Sequence, residues 1–424
     1  MQVQRLSLPR CEVHLRRMVS RRDVLRSCAA ALVPVIAARL PRAIQSRASR
    51  VVVVGAGAFG GWTALHLAKR GASVTLIDAW GAGNVRASSG GETRVIRGAY
   101  NGERTYIRMV RRAFDLWHEY ERAWQRSILH PTGALWMFER DDDAYLRRSA
   151  PIMREENLTA EELTHDAAAK RFPQIRFDGL RHIWWEREAG FLLARESCEL
   201  VRQECVRLGV EYVTAQARGG PLTGGTMSHV PLGDGTRRSG DIYVFACGPW
   251  LGTLFPDVVG ARVRATKQDV MYFGPPPGDR TFDVGSLPVW VNFGERLIYG
   301  IPGNERRGFK IADDTLGRDV DPTTFERTLD SESVSRARDL LQRRFPAMAR
   351  APLVHSEICQ YESTPDGHYL MDWHPAATNV LLLGGGSGHG FKMGPAIGEM
   401  AAKVVLDREA PPSMFSYKRL GERN

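Results

Sequence analysis

The sequence predicts an α/β protein: a discontinuous Rossmann-like dinucleotide-binding domain carrying an inserted α+β domain dominated by a mixed or antiparallel sheet. Three observations predict it. The segment "RVVVVGAGAFGGWTALHLAKRGASVTLIDAW" has the order strand, glycine turn, helix, strand, acidic residue. Residues 263–312 alternate as strands, including "VMYFG", "LIYGIP" and "GFKI". The apolar run "NVLLL" then exits into "GGGSGHGFKMG", a second place where backbone can approach a ligand closely.

In the first segment Val51 to Val54 read as a buried strand, and the glycines of G-x-G-x-x-G are Gly55, Gly57 and Gly60. Gly55 permits the tight turn, Gly57 lets backbone amides meet a pyrophosphate, and Gly60 lets the helix pack on the strand. The helix runs to Arg70 and the next strand ends at Asp78, placed to accept hydrogen bonds from an adenosine ribose. The polar loop "NVRASSGGETRVIRGAYNGE" follows, then an amphipathic helix from about Arg104 to Gln125. "ALWMFER" and "HIWWE" read as strands, and the residues from Asp141 to Phe172 between them as helices. "RESCELVRQECVRLG" and "DIYVFACGPW" resume the helix–strand pattern, a charged helix spans about Thr323 to Arg344, and a last helix runs from about Pro395 to Asp407. The expected partition assigns 44–132, 187–262 and 352–424 to the dinucleotide domain, and 133–186 and 263–351 to the substrate domain.

The net charge of +10 would suggest a nucleic-acid partner, but it is confined. Eleven arginines against Glu12 and Asp23 put nine of those charges in the first fifty residues, leaving about one on the rest. That N-terminus reads "SRRDVLRSCAAALVPVIAARLPRA": Arg21 and Arg22, then an apolar core from Cys28 to Ala38. The core is too short for a bilayer, which takes about 20 residues. The pattern is that of a twin-arginine export signal over residues 1–43, with Met18 as an alternative start and cleavage near Ala43. It implies the translocation machinery as a partner and a periplasmic or secreted product. Beyond Cys11 and Cys28 the cysteines are Cys198, Cys205, Cys247 and Cys359, with no disulfide framework or zinc spacing; no metal is expected.

With the glycine turn, "GETRVIR", "YGIP…GFKI", "EICQYESTPDGHYLMD" and "SGHGFKMG" in this order, the chain resembles the monomeric sarcosine oxidase and N-methyltryptophan oxidase family. These are FAD-dependent enzymes of the D-amino-acid oxidase superfamily, and the similarity covers about residues 50–415. The resemblance places Gly388 and His389 at the flavin, with Thr93 and Gly248 also at the cofactor, and Arg94 beneath the ring. It makes Arg97 and Lys392 the cations that bind a substrate carboxylate; two convergent cations in low dielectric call for an anion. It makes Tyr299 a pocket residue, Lys310 the lysine that activates oxygen, and Cys359 the thioether link to FAD, whereas Cys247 reads as core. Lys310 could also be a solvent-facing strand lysine, and Cys359 an inert thiol.

Two positions depart from the family. A loop histidine is replaced by Gly90, and a pocket histidine four residues after the lysine by Asp314. Both losses point away from sarcosine, toward a bulkier or cationic amine. The resemblance implies oxidation of a carboxylate-bearing, secondary or N-methylated amine to an imine that hydrolyses, with oxygen reduced to hydrogen peroxide, by a monomer. The alternatives are a dehydrogenase with another acceptor, a non-catalytic flavin-binding protein, and an NAD-dependent enzyme sharing the glycine motif.

Overall fold

The computed structural model describes residues 48–421, so the expected export signal lies outside the described residues. The four valines do form a strand, Arg50–Val54, at the centre of a six-stranded sheet. The sheet order is Leu370–Trp373, Val380–Gly384, Ile242–Phe245, Arg50–Val54, Ser73–Asp78, Glu211–Thr214. All pairings are parallel except that of the edge strand Leu370–Trp373. A parallel sheet is covered on both faces, so its central strands read as unbroken apolar runs. Val380–Gly384 is buried along its whole length, as are four of the five residues of Arg50–Val54. Helix Ala58–Lys69 packs against Gly394–Asp407 and Ala194–Arg207.

The inserted sheet has eight strands, in the order Leu353–Ser363, Arg264–Phe273, Phe309–Asp313, Leu297–Ile301, Val289–Phe293, Ala134–Phe138, His182–Glu186, Ala160–Glu162. It is mixed: only Val289–Phe293 with Ala134–Phe138 is parallel. A smaller antiparallel sheet joins Thr93–Ile96, Gly190–Leu193 and Leu129–His130.

Three details differ from the sequence expectation. Leu353–Ser363, assigned to the dinucleotide domain, hydrogen-bonds along Arg264–Phe273 in the eight-stranded sheet. The chain re-enters the six-stranded sheet only at Leu370. The charged helix is Ser331–Arg344 rather than one beginning near Thr323. Asp321 accepts from the amides of Thr323 and Thr324, which closes a local turn where a helix would begin, and buried Lys267 holds Asp330 at 2.7 Å. Between Asp141 and Phe172 the helices Ala144–Glu155 and His165–Arg171 are separated by the edge strand Ala160–Glu162.

Candidate active site

Two adjoining cavities, of about 300 and 230 Å³, share Arg94, Gly388 and Phe391 in their walls. The larger lies over the glycine turn. Gly55 has φ +103°, and a Cβ there would lie 2.2 Å from the Ala246 carbonyl oxygen. A Cβ on Gly60 would lie 1.9 Å from the Gly55 carbonyl oxygen, so the turn closes only without side chains. Gly57 caps helix Ala58–Lys69 with no side-chain hydrogen bond and faces the cavity, as an anion-binding helix N-terminus requires. Ser89, which the sequence reading did not single out, accepts from the Ala58 amide at 3.0 Å.

Asp78 lines this cavity, but its carboxylate also fastens the turn. One oxygen accepts from the Ala56 amide at 2.8 Å, and the other from those of Trp80 and Gly81 at 2.9 Å. Gly248, at φ +55°, lines the same cavity. So does Glu362, a buried carboxyl absent from the sequence expectations. One of its oxygens accepts from the Gly386 amide at 3.2 Å; the other is buried with no partner among the described residues. Burial pushes this acid up to about 8, so it is largely neutral at pH 7 and its unpartnered oxygen can donate.

The smaller cavity is built around charge. Arg97 follows strand Thr93–Ile96 and lies over the ring of Tyr100, 4.5 Å from its centroid, with Trp136 and Tyr145 at 5.6 and 5.7 Å. Its guanidinium donates to the Ala99 carbonyl. The turn that presents it is held by Glu186, whose carboxyl accepts from the Gly98 amide and from Trp136 Nε1. Burial raises Glu186 to about 7. Lys392, buried in the turn Phe391–Met393, donates to the His389 carbonyl at 2.8 Å and to the Tyr100 hydroxyl at 3.2 Å. Trp117 Nε1 donates to its backbone carbonyl at 2.9 Å and so fixes that turn. Burial, and then Arg97, push the ammonium of Lys392 well below its usual range, a cost that a bound anion removes.

Tyr299, Asp314 and His389 also line this cavity. The Asp314 carboxylate accepts from the Tyr361 hydroxyl at 2.7 Å. His389 donates from Nε2 to the Gly367 carbonyl at 3.0 Å, which leaves Nδ1 to accept from Tyr369 at 2.8 Å. Burial and then Lys392 lower its basicity to about 3, so the ring is neutral. His389 faces the smaller cavity, while Gly388 faces both.

Beside Arg94, which both cavities share, lies a cluster around Thr93. Its carbonyl accepts from Lys310 Nζ and from Arg94, both at 2.8 Å. Thr93 is buried and lies outside the two cavity walls. Lys310 is buried too, so it is not a solvent-facing strand lysine; burial, reinforced by Arg94, lowers it to about 7. Cys359 is buried with its Sγ 3.4 Å from Arg94, touching the larger cavity's wall rather than its surface. Gly90 leaves no room for the missing imidazole: a Cβ there would lie 1.8 Å from the Asn84 carbonyl oxygen.

A long cavity with a side-chain-free turn, a helix N-terminus, and an unpartnered buried carboxyl fits a dinucleotide with a polar ring system. Comparison with known proteins agrees. The DAO family model, FAD dependent oxidoreductase, matches residues 50–404. Monomeric sarcosine oxidase of Bacillus sp. (strain B-0618) is 28% identical over 387 residues, spanning 87% of this chain and 95% of the relative. N-methyl-L-tryptophan oxidase of Escherichia coli (strain SMS-3-5 / SECEC) is 27% identical over 379 residues, spanning 87% and 98%. The solved L-proline dehydrogenase of P. horikoshii shares the fold, with a TM-score of 0.77 at 21% identity over 88% of this chain and 97% of that one. A glycine turn closed on Ala246, a cavity that runs from it to Arg94, and a family match over most of the chain identify this protein as a member of the DAO family of FAD dependent oxidoreductases.

Proposed function

We propose that the enzyme oxidises the C–N bond of a carboxylate-bearing, secondary or N-methylated amine, with oxygen as the electron acceptor. The observation that carries this reading is the convergence of Arg97 and Lys392 on one small cavity that adjoins the dinucleotide cavity. FAD supplies the two-electron acceptor. The chain supplies position and charge. Arg97, clamped by Ala99 and by the Glu186-held turn, anchors the carboxylate, and Lys392 stands beside it as the second positive group. Tyr299 closes the cavity wall. Neutral His389 adds no third charge. Lys310, near neutrality and 5.9 Å from the Tyr299 ring centroid, brings a titrating cation for the negative charge that develops as oxygen is reduced. Cys359, beside Arg94, would carry the covalent link to FAD. The names of the relatives, sarcosine oxidase and N-methyl-L-tryptophan oxidase, favour the same substrate class.

The test is the visible spectrum of the purified holoenzyme before and after acid precipitation, then anaerobic addition of N-methyl and cyclic imino acids. The expected results are a yellow pellet, bleaching by at least one carboxylate-bearing amine, and peroxide on readmission of air. Yellow colour left in the supernatant rejects the link through Cys359. A bound flavin that no member of the panel bleaches rejects the substrate class. Bleaching with no peroxide under air rejects oxygen as the acceptor.

A further inference from the structure

The smaller cavity holds an anion as well as two cations. Asp314 follows strand Phe309–Asp313, and its backbone amide is pinned to the Leu297 carbonyl at 2.8 Å. Asp314 lines the cavity, half-buried, and among the described residues its carboxylate receives one side-chain hydrogen bond, from Tyr361. The preceding residue, Asp313, pairs with both Arg296 and Arg336. Basic groups are therefore at hand one position away, yet they serve Asp313. An acid whose purpose was to neutralise Arg97 and Lys392 would pair with them, but among the described residues neither cation has an ion pair within 4.0 Å, with Asp314 or with any other acid. Arg97 and Lys392 act on Asp314 only across the cavity, and a desolvated charge with no ion pair is costly on either side. One ligand removes both costs if it carries a negative group for Arg97 and Lys392 and a positive group for Asp314.

We infer that Asp314 binds a positive charge borne by the substrate's substituent, so that the preferred substrate is a carboxylate-bearing secondary amine with a basic side chain. The inference rests on the proposed carboxylate–amine reading and narrows it. The reacting nitrogen is not the group that stays charged at Asp314, because oxidation of its C–N bond needs its lone pair free. Val291, Phe293 and Leu297 give the same cavity an apolar wall along which a methylene stem can lie.

The experiment compares kcat/KM of the holoenzyme for racemic Nα-methyllysine and racemic Nα-methylnorleucine, which differ by the terminal ammonium. The wild-type enzyme should favour the lysine compound at least about 30-fold, the range for truncating one partner of a desolvated charge pair. Asp314→Asn should bring the ratio to about one while its flavin spectrum shows the site still loaded, and Asp314→Glu should keep the direction of the preference. Equal use of the two compounds by the wild-type enzyme would overturn the inference and leave the carboxylate–amine reading standing. If neither compound bleaches a bound flavin, while a neutral N-methyl amino acid does, the inference again falls alone. If no carboxylate-bearing amine bleaches it, both fall together.

Discussion

The two adjoining cavities are built by different means. The larger is shaped by what the chain leaves out: Gly55, Gly57 and Gly60 have no side chains, and the polar contacts around the turn are backbone amides to Asp78 and Ser89. The smaller is shaped by what the chain puts in: Arg97, Lys392 and Asp314, each brought by a different element and none paired with another. A cofactor common to many proteins is held by a backbone geometry that recurs among them. A substrate peculiar to one is held by side chains that can be exchanged singly.

The largest effect should come from breaking the backbone geometry. Gly60→Ala puts a Cβ against the Gly55 carbonyl at the contact where helix and strand meet. We expect protein without a flavin band, in contrast to the loaded wild-type; a normally loaded variant would remove the turn from the cofactor site. Arg97→Met should act on the other cavity alone: flavin content unchanged, and kcat/KM for the best carboxylate-bearing amine lower by roughly 10²–10³. Loss of flavin together with activity would mean that the two cavities are not separable in the way their construction suggests.

The smallest effect sharpens the comparison at Glu362, a buried carboxyl in the wall of the larger cavity. Its folded value near 8 lies above the ordinary carboxylate value of 4.5. The folded chain therefore holds a proton that the unfolded chain releases, and stability falls as pH rises from about 4.5 to about 8. Glu362→Gln removes the titration while keeping a donor of similar shape. Its melting temperature relative to wild-type should rise steadily between pH 5 and pH 8 and level off above, as followed by thermal unfolding across that range. A difference that is flat with pH would show that Glu362 is ionised in the folded protein.

The larger cavity was legible in the sequence because its determinants are local. Glycine spacing, four consecutive valines and an acidic residue at the end of the second strand all sit within thirty residues. The smaller was legible through family resemblance: Arg97 and Lys392 are far apart in the chain, and no local pattern links them. Glu186, Tyr361 and Glu362 escaped for a physical reason. Each lies within a strand stretch that is largely buried, where alternation gives no sign that a polar residue turns to a buried partner or a cavity rather than to solvent. The placement of Leu353–Ser363 escaped because sheet membership depends on a partner strand 80 to 99 residues earlier. The early start assigned to helix Ser331–Arg344 came from charge pattern, which does not register that Asp321 bonds its own downstream amides.

Tyr361 gives the two-cavity arrangement a further property. Its ring lines the larger cavity, a Cβ on Gly388 would lie 2.7 Å from that ring, and its hydroxyl holds Asp314 in the smaller one. Beside the wall that the chambers share at Arg94, Gly388 and Phe391 there is therefore a phenol that touches both sides. A substitution at this one residue would reach both chambers, the larger through the lost ring and the smaller through the lost hydrogen bond to Asp314.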